Sequence, residues 1–488
     1  MTTQPDVAAT PGVTPHADKT AARGKMNGRK RLALIVLLAA SFTLAVDFSI
    51  LNVALPTIGA DVGFTLENLQ WIATAFALCA AGLTLLFGRI ADLAGRRRLF
   101  LLGMALLGIS SLAGGLAADP ALLLVARVGQ GVATAIVVPA ALALLLDAFP
   151  EGPLRDKALG LNGSLMAAGF TTGAILGGLL TDLLSWRWAF FINVPVAIAV
   201  LLIAPVVLAE SKPATKARLD VPGAITVTLG LLALVFSLTN AAEHSWTDPF
   251  TLGSLAAAIV LFAVFTAVEN RATSPLVPLG ILKRSSIAWG NIAGILAFVT
   301  ETSLVFLLTL YLQQVLGYTP LAAGLSFAVL GLGTVLGGIL GPKVIGKLGS
   351  KKAIVYGFII QAIAAGSLVL LSGDPASIAL LLIATFVGGV ANLVVIVGFM
   401  VTATSGLSDT EQGLATGLAT MSQQIGITMG IPIMSAIFTA QLLTFDSNSS
   451  AAVLSSVSTA ITVNAALCLA SALAVAMFLR TRKPAPTI

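Results

Sequence analysis

Fourteen long apolar runs dominate the chain, and short polar loops separate them. Most of the runs reach or exceed the roughly 20 apolar residues that cross about 30 Å of hydrocarbon at 1.5 Å per residue. A backbone in lipid must satisfy its own hydrogen bonds, so we expect each run to be a helix. The sequence therefore predicts an all-α membrane protein with 14 transmembrane helices. The runs lie near residues 32–55, 69–88, 99–117, 121–147, 158–181, 188–209, 221–239, 250–268, 286–312, 320–340, 353–371, 376–403, 412–440 and 457–479.

The basic residues lie on one side of the predicted membrane. With the amino terminus placed in the cytoplasm, all but two of the 27 Lys and Arg residues fall in cytoplasmic loops or in the two tails. The exceptions are Arg127, inside the fourth run, and Arg187, at an outer edge. This positive-inside pattern predicts a multi-pass protein of the cell membrane with both termini in the cytoplasm. Topology and anionic lipid explain the net charge of +6, so no nucleic-acid partner is expected.

Composition and motifs argue against an enzyme. Charged residues make up 10% of the chain, against roughly 25% in a typical soluble domain. The only two histidines are His16, in the amino-terminal tail, and His244, in an outer loop, which excludes a metal cluster or a hydrolytic triad built on His. Residues 341–347 nearly match a phosphate-binding loop, but Leu348 stands where the magnesium-binding hydroxyl would be. We expect no cofactor and no metal, and an integral-membrane enzyme is the remote alternative.

A weak internal repeat predicts the domain organisation. Asp47 lies 48 positions before Gly95, and Glu301 lies 48 positions before Gly349; both glycines are in short basic loops. The offset between the two pairs spans eight helices, so two helices are predicted to be inserted between two six-helix halves. Duplicated halves with a site at their interface are the usual build of secondary transporters. The predicted divisions are a disordered cytoplasmic tail (1–31), an N-terminal six-helix half (32–209), a linker with two inserted helices (210–285), a C-terminal six-helix half (286–479) and a cytoplasmic tail (480–488).

Two acids and one base lie inside the apolar runs: Asp47 in the first, Arg127 in the fourth and Glu301 in the ninth. An intramembrane charge costs at least about 2.5–3.5 kcal/mol, so it faces a partner or a wet cavity. Asp47 and Arg127 can form a structural ion pair, whereas Glu301 has no basic residue in its own run. A carboxyl that is alternately desolvated and hydrated can take up a proton on one side and release it on the other. We therefore predict that at least one of the two acids carries protons.

The loop after the second run reads Gly88-Arg-Ile-Ala-Asp92-Leu-Ala-Gly95-Arg96-Arg97. Its glycines allow a tight turn and close helix approach, and Asp92 can pair with an arginine or a helix amino terminus. This segment resembles the hallmark G-x-x-x-D-x-x-G-R-[RK] of the major facilitator superfamily, with every fixed position present. The resemblance implies the major facilitator fold, in which Gly88, Asp92, Gly95, Arg96 and Arg97 would form a cytoplasmic latch between the halves. In the second half Gly346 stands at the aspartate position.

Further segments resemble the fourteen-helix drug:proton antiporters of that superfamily. Residues 44–56 are similar to its L-D-x-T-I-V-N-V-A-L-P stretch, with Ala45 inserted and Ser49 in place of threonine. Residues 124–131 match its fourth-helix R-x-x-x-G motif, and by this resemblance Arg127 takes part in proton coupling. The segments 185–195, 311–320, 413–417 and 424–426 are similar to the same subfamily. The likeness therefore extends from the first helix to the thirteenth.

The fifth run carries a variant of the antiporter motif. Gly169, Gly173, Gly177 and Gly178 match the family pattern G-x-x-x-G-P-x-x-G-G, but Ala174 replaces the proline that would kink the helix. Glycines four apart also let a neighbouring helix pack closely. The substitution leaves the expected fold intact and weakens the expected direction of transport, so a major facilitator symporter or facilitator for a nutrient or metabolite stays open.

Residues and resemblance together predict a proton-coupled secondary transporter that exports small amphipathic or cationic compounds, as in multidrug efflux and antibiotic resistance. Its partners would be a small-molecule substrate, protons and membrane lipid, and we expect a monomer. Asn52, Gln313 and Gln314 are candidates for the wall of a substrate cavity, although the two glutamines can equally serve in packing. The sequence does not name the substrate.

Overall fold

The computed structural model describes residues 27–65, 68–149, 153–210, 220–243, 246–272, 279–404, 409–445 and 449–480. Within these ranges all regular structure is helical. The helices are α1 (Gly28–Val62), α2 (Gln70–Ala94), α3 (Arg96–Gly115), α4 (Pro120–Ala148), α5 (Pro153–Leu183), α6 (Trp188–Phe191), α7 (Asn193–Val207), α8 (Val221–Glu243), α9 (Pro249–Glu269), α10 (Leu279–Leu282), α11 (Ser285–Leu310), α12 (Pro320–Leu348), α13 (Ser350–Ser367), α14 (Ser377–Thr404), α15 (Asp409–Leu442) and α16 (Ser450–Phe478). A π-helical turn (Tyr311–Val315) continues α11.

Length and composition make the protein a membrane-embedded helical bundle. In the described part of the chain, 12 helical segments are long and apolar enough to cross a membrane. Two further long helices, α2 with 25 residues and α5 with 31, correspond to the second and fifth apolar runs but are not among the 12. The predicted all-helical membrane fold is confirmed, and the count of 14 spans stays a prediction. Most of the predicted amino-terminal tail, residues 1–26, and the predicted carboxyl-terminal tail from 481 lie outside the described residues.

Capping residues set where several helices begin and end. Asn27, Asp119, Thr319 and Ser449 precede α1, α4, α12 and α16, and each side chain accepts a hydrogen bond from a backbone N–H in the first turn. Such caps satisfy backbone donors that have no partner within the helix. Gly63 ends α1 with a φ of 97°, a left-handed conformation that glycine adopts without a steric penalty.

Helix packing repeats between the two ends of the chain. In the first group (α1–α7), α1 packs along α5 and α7, and α4 packs against α2 and α3. In the second group (α11–α16), α11 packs along α15 and α16, and α14 packs against α12 and α13. The groups meet along two seams, where α5 packs on α12 and α2 packs on α15. Helices α8 and α9 pack on each other, and α8 lies against α2 and α15 beside the second seam.

The two ends of the bundle differ in charge. At one end α1 begins and α7 ends, where Arg29 Nε donates a hydrogen bond to Val207 O at 3.3 Å. At the same end Ser285 Oγ, at the start of α11, donates to Phe478 O at the end of α16 at 2.7 Å. We call this end the basic face, because it carries the arginines at the start of α3, and we call the other end the opposite face.

Buried apolar contact between the two groups is concentrated at the opposite face. The largest apolar core there joins Ile50 and Leu55 of α1 to Phe306 and Leu310 of α11 and to Phe438 of α15, each at most 2% exposed. Toward the basic face, one core of described residues contains only the first group and another contains only the second. The bundle is therefore sealed at the opposite face.

Candidate functional site

Asp47 lies in a buried hydrogen-bond network inside the first group. Its Oδ1 accepts hydrogen bonds from Gln130 Nε2 at 2.8 Å and from Asn193 Nδ2. Its Oδ2 lies 3.7 Å from Arg127 Nη1 and accepts no hydrogen bond from any described group. The side chains of Asp47 and Arg127 are each 1% exposed. One cation and two amide donors, carried by α4 and α7, therefore hold this carboxylate.

Arg127 is fixed by its own set of contacts. Its Nε donates a hydrogen bond to Ile72 O at 2.9 Å, and its Nη1 donates to Gln130 Oε1 at 2.8 Å. Its Cζ lies 4.3 Å from the centre of the Phe76 ring, a distance at which a cation–π interaction is attractive. Gln130 Nε2 also donates to Ser111 Oγ of α3 at 2.9 Å. Because Gln130 contacts both charged residues, a change of charge on one of them alters the hydrogen bonds of the other.

The second group contains a similar network without a charge. Gln361 Nε2 of α13 donates a hydrogen bond to Thr300 Oγ1 at 3.1 Å. Asn464 Nδ2 of α16 donates to Thr300 O at 3.0 Å and to Ser303 Oγ at 2.9 Å. Helix α16 packs on α11 as α7 packs on α1, so Asn464 has the place in this group that Asn193 has in the first.

Contacts of equivalent glycines show which residue of α1 corresponds to which residue of α11 in the two groups. A Cβ added to Gly173 of α5 would lie 2.7 Å from Val46 O, and one added to Gly430 of α15 would lie 2.7 Å from Val299 O. Both distances are too short for a side chain, so each glycine marks a close approach of its helix pair. Positions 46 and 299 are separated by 253 residues.

This register makes Thr300 the counterpart of Asp47. The internal repeat in the sequence paired Asp47 with Glu301, and the helix contacts shift that pairing by one residue. One residue turns a helical side chain by about 100° around the axis. Glu301 therefore projects from a different side of α11 than Thr300 does, and it is the counterpart of Phe48.

Glu301 lines two recesses. The inner recess lies within the second group, between α11, α12, α13 and α14, and its cavity volume is about 20 Å³. The seam recess, with a cavity volume of about 10 Å³, lies between the two groups, where Phe170 and Ala174 of α5 face Phe327 of α12. No Lys, Arg or His is among the described residues that line either recess. Glu301 is thus an acid in a membrane-spanning helix whose recesses offer it no basic residue.

Two of the residues predicted to line a substrate cavity lie near the opposite face. Gln313 Nε2 donates a hydrogen bond to Val53 O at 2.6 Å, which ties the π-helical turn after α11 to α1. The backbone oxygen of Gln314 accepts a hydrogen bond from Ser450 Oγ at 3.2 Å. Asn52 is 3% exposed. Gln313 therefore bridges the two groups, and a role of these three residues in substrate binding stays a prediction.

The glycines of the antiporter-like motif pack α5 against two partners. A Cβ on Gly169 would lie 2.8 Å from Ala45 Cβ, and a Cβ on Gly177 would overlap Ile50 O, so this side of α5 lies directly on α1. A Cβ on Gly178 would overlap Pro320 O, at the start of α12. The motif thus joins α5 both to the helix that carries Asp47 and to the second group.

The described contacts of the predicted latch lie within the first group. Gly95 joins α2 to α3 with a φ of 104°. Arg96 Nη1 donates a hydrogen bond to Asp147 Oδ1 of α4 at 2.6 Å, and Arg97 Nη1 donates to carbonyls at the end of α7 at 3.1 and 3.2 Å. The side chain of Asp92 lies outside the described residues. These arginines stabilise the basic face of one group.

Sequence reasoning did not select the amide and hydroxyl side chains that complete the two networks and the inner recess. They are Ser111, Gln130, Asn193, Thr300, Ser303, Gln361, Asn392 and Asn464. Each is a polar residue within an apolar run, and a buried amide in a membrane helix needs a partner just as a charge does. Counting uncharged polar residues within the runs, together with the charged ones, would have found them.

The sequence matches the Major Facilitator Superfamily over residues 37–431. It is 36% identical to the cephamycin export protein CmcT of Amycolatopsis lactamdurans, over 82% of this chain and 84% of that protein. It is 33% identical to the puromycin resistance protein pur8 of Streptomyces alboniger, over 90% of this chain and 86% of that protein. The fold is similar to that of an auto-inhibited POT family peptide transporter, with a TM-score of 0.69 and 14% identity over 93% of this chain and 98% of the other.

Proposed function

This chain belongs to the major facilitator superfamily, and we propose that it is a proton-coupled secondary transporter that exports small amphipathic or cationic compounds. The observation that carries the proposal is Glu301, an acid in a membrane-spanning helix that faces the seam between the two groups. The export function of one relative and the resistance function of another support the outward direction. The family and the similar proteins are transporters, so the expected absence of enzymatic activity holds.

We infer that the basic face is cytoplasmic and that α2 and α5 also cross the membrane, which gives 14 spans. The positive-inside rule supports the orientation, and the lengths of α2 and α5 support the count. The first and second groups would be the two six-helix halves, at 32–209 and 286–479. The α8–α9 pair would be the inserted helices in the linker 210–285, with both tails in the cytoplasm of a monomer in the cell membrane.

In this orientation the structure corresponds to a state closed to the outside. The joint apolar core and the hydrogen bond between Gln313 and Val53 would form the outer gate. Opening that gate would break these contacts, while the latch of Gly88, Asp92, Gly95, Arg96 and Arg97 would join the halves at the cytoplasmic face. Such rocking of two repeats around a fixed site is how duplicated transporters alternate access.

Exchange of substrate for a proton at one carboxylate would couple substrate export to proton entry. If a cationic substrate and a proton compete for Glu301, the site carries substrate in one direction and a proton in the other. Exchange of one monovalent cation for one proton moves no net charge across the membrane, so the pH gradient drives it, at about 1.4 kcal/mol for each tenfold ratio of proton concentration. The amphipathic part of the substrate would contact Phe170 and Phe327, which line the seam recess beside the carboxyl.

Asp47 and Arg127 would form the second element of proton coupling. A proton on Asp47 would remove the attraction across 3.7 Å and leave Arg127 with its hydrogen bonds to Ile72 and Gln130. Because α5 lies directly on the part of α1 that carries Asp47, a shift of this network would reach the α5–α12 seam. Protonation would thus bias the movement of one half against the other.

The test uses proteoliposomes with an imposed pH gradient and ethidium as an amphipathic cation. Wild-type protein should move ethidium against its gradient in exchange for protons. Glu301→Gln should abolish uphill movement and keep downhill leak, because the amide cannot exchange a proton. Asp119→Asn is the matched control: it removes an exposed carboxylate, and Asn caps a helix as well as Asp does.

Two results would contradict the proposal. Ethidium movement in the same direction as the proton gradient would indicate a symporter. Unchanged uphill transport in both Glu301→Gln and Asp47→Asn would show that neither acid carries the coupling proton. A survival screen of a pump-deficient host against a panel of toxic compounds would then define which substrates the chain exports.

A further inference from the structure

The inner recess contains buried polar atoms without partners. Asn392, a residue 2% exposed, directs its side-chain amide N–H at the Glu301 carboxyl, and its Oδ1 has no hydrogen-bond partner among the described groups. Gln361, 3% exposed, donates to Thr300 through Nε2, but its Oε1 has no partner. Both residues line the recess together with Glu301. Buried polar groups are normally hydrogen-bonded, so two unpartnered amide oxygens beside a carboxyl in one recess point to a ligand that satisfies them.

The free groups of the recess are mostly hydrogen-bond acceptors. Gln361 Oε1 and Asn392 Oδ1 are neutral acceptors, and an ionised Glu301 carboxylate accepts only. Asn392 Nδ2 is directed at the Glu301 carboxyl, and among the described atoms that line the recess no other donor lacks a partner. A ligand group that matches this set carries a positive charge and more than one N–H donor.

We propose that the inner recess is a subsite for a protonated primary or secondary amine of the substrate, held by Glu301, Gln361 and Asn392. The ammonium N–H groups donate to the two amide oxygens and to the carboxylate, while the rest of the substrate extends past Glu301 into the seam recess. A quaternary ammonium group has the same charge but no N–H, so it leaves both amide oxygens unsatisfied. This inference rests on the proposed export function and specifies its substrate class.

The shape of the recess fits a small head group. On α13 and α14 its wall contains small residues, among them Ala364, Ala384 and Gly388, and on α11 and α12 it contains larger aliphatic ones such as Leu304 and Leu330. A Cβ added to Gly388 would meet only Ala364 Cβ, at an ordinary contact distance of 3.6 Å. A single methyl can therefore be placed on this wall without displacing any backbone.

Equilibrium binding to purified protein in detergent tests the subsite independently of transport. The probes are dansylcadaverine, which carries a primary ammonium, and its N,N,N-trimethyl analogue. We expect wild-type protein to bind the primary amine about tenfold more tightly or better, since hydrogen bonds from a charged donor are about twice as strong as those between neutral groups. Asn392→Leu and Gln361→Leu, which keep similar volume, should each reduce this preference about tenfold, mainly by weakening binding of the primary amine.

Two glycine variants separate occupation of the recess from a general loss of structure. Gly388→Ala should weaken binding of dansylcadaverine several-fold, because the added methyl projects from the wall of the recess. Gly366→Ala is the matched control on α13: its Cβ would meet only Ala465 Cβ at 4.0 Å, and it does not line the recess. Binding by this variant should equal that of the wild type.

Equal affinity of the wild type for the two probes would overturn the subsite. So would an unchanged preference in both Asn392→Leu and Gln361→Leu, provided both variants elute from size exclusion as the wild type does. If ethidium is still exported in proteoliposomes in those cases, the proposed function stands and only the amine subsite fails. If the amine preference and its loss are observed but neither ethidium nor dansylcadaverine is moved uphill in exchange for protons, the subsite stands and the transport mechanism fails.

Discussion

Removal of Arg127 should destabilise the protein by leaving the Asp47 carboxylate buried without its cation. The two charges are 3.7 Å apart and each side chain is 1% exposed. With an effective dielectric constant of about 20, their attraction is roughly 4–5 kcal/mol. Breaking a buried pair by removing one partner typically costs about 3–5 kcal/mol, which agrees with this value. We therefore expect Arg127→Met to lower the free energy of unfolding by about 3–5 kcal/mol at pH 8.

The double variant Asp47→Asn/Arg127→Met distinguishes the charge interaction from packing. It removes both charges, so no uncompensated carboxylate remains, and it should be more stable than Arg127→Met alone by about 2 kcal/mol or more. The assay is unfolding by SDS in mixed micelles, applied to the wild type, both single variants and the double variant. If the two single effects add to within about 0.5 kcal/mol, the two side chains do not interact and the network described here is wrong.

Three further outcomes are expected. Gly177→Ala should lower the free energy of unfolding by about 1–3 kcal/mol, because the added methyl overlaps Ile50 O. Gly346→Ala is the control, since nothing lies within 4 Å of its new atom, and it should have no such effect. Equal thermal unfolding midpoints for the two variants would contradict the α1–α5 contact. The double variant Val53→Cys/Gln313→Cys is made in a background without Cys79 and Cys468, and a reducible thiosulfonate reagent cross-links the two new thiols. Cross-linking should stop ethidium transport, and reduction of the link should restore it. Transport by the cross-linked protein would show that the opposite face need not open. Arg96→Ala should change the free energy of unfolding by less than about 1 kcal/mol, since the ion pair between Arg96 and Asp147 is partly exposed. A larger loss in the same SDS unfolding assay would show that this pair is not an ordinary surface salt bridge.

The difference between the two polar networks suggests a division of labour. In the first group an acid and a base lie in the network itself, whereas in the second group the network is neutral and the acid lies one residue further along α11. A paired acid such as Asp47 is suited to transmit a change of charge to neighbouring helices. An acid without a basic neighbour, such as Glu301, is suited to exchange one cation for another.

The membrane-embedded helical bundle and the family could be inferred from the sequence alone. Length and hydrophobicity are properties of each segment alone, because any backbone in lipid must form its own hydrogen bonds, so the apolar runs could be assigned to helices without knowledge of their neighbours. The same holds for Asp47, Arg127 and Glu301, whose cost in lipid makes each a candidate functional residue wherever it points. The loop motif around Gly95 is also local, since its glycine is needed for a backbone conformation at one position.

Which side chains meet depends on how the helices are arranged in three dimensions. The partners of Asp47 come from α4 and α7, 80 or more positions away, and no local pattern relates them. The repeat in the sequence aligned the loop glycines Gly95 and Gly349 correctly, but it misaligned the two acids by one residue. One residue on a helix is a rotation of about 100°, so the Glu301 side chain lies in the recesses and not in the polar network of the second group. Rotation and contact of helices depend on how small and large residues fit together across the whole bundle, and that fit cannot be inferred from any one segment.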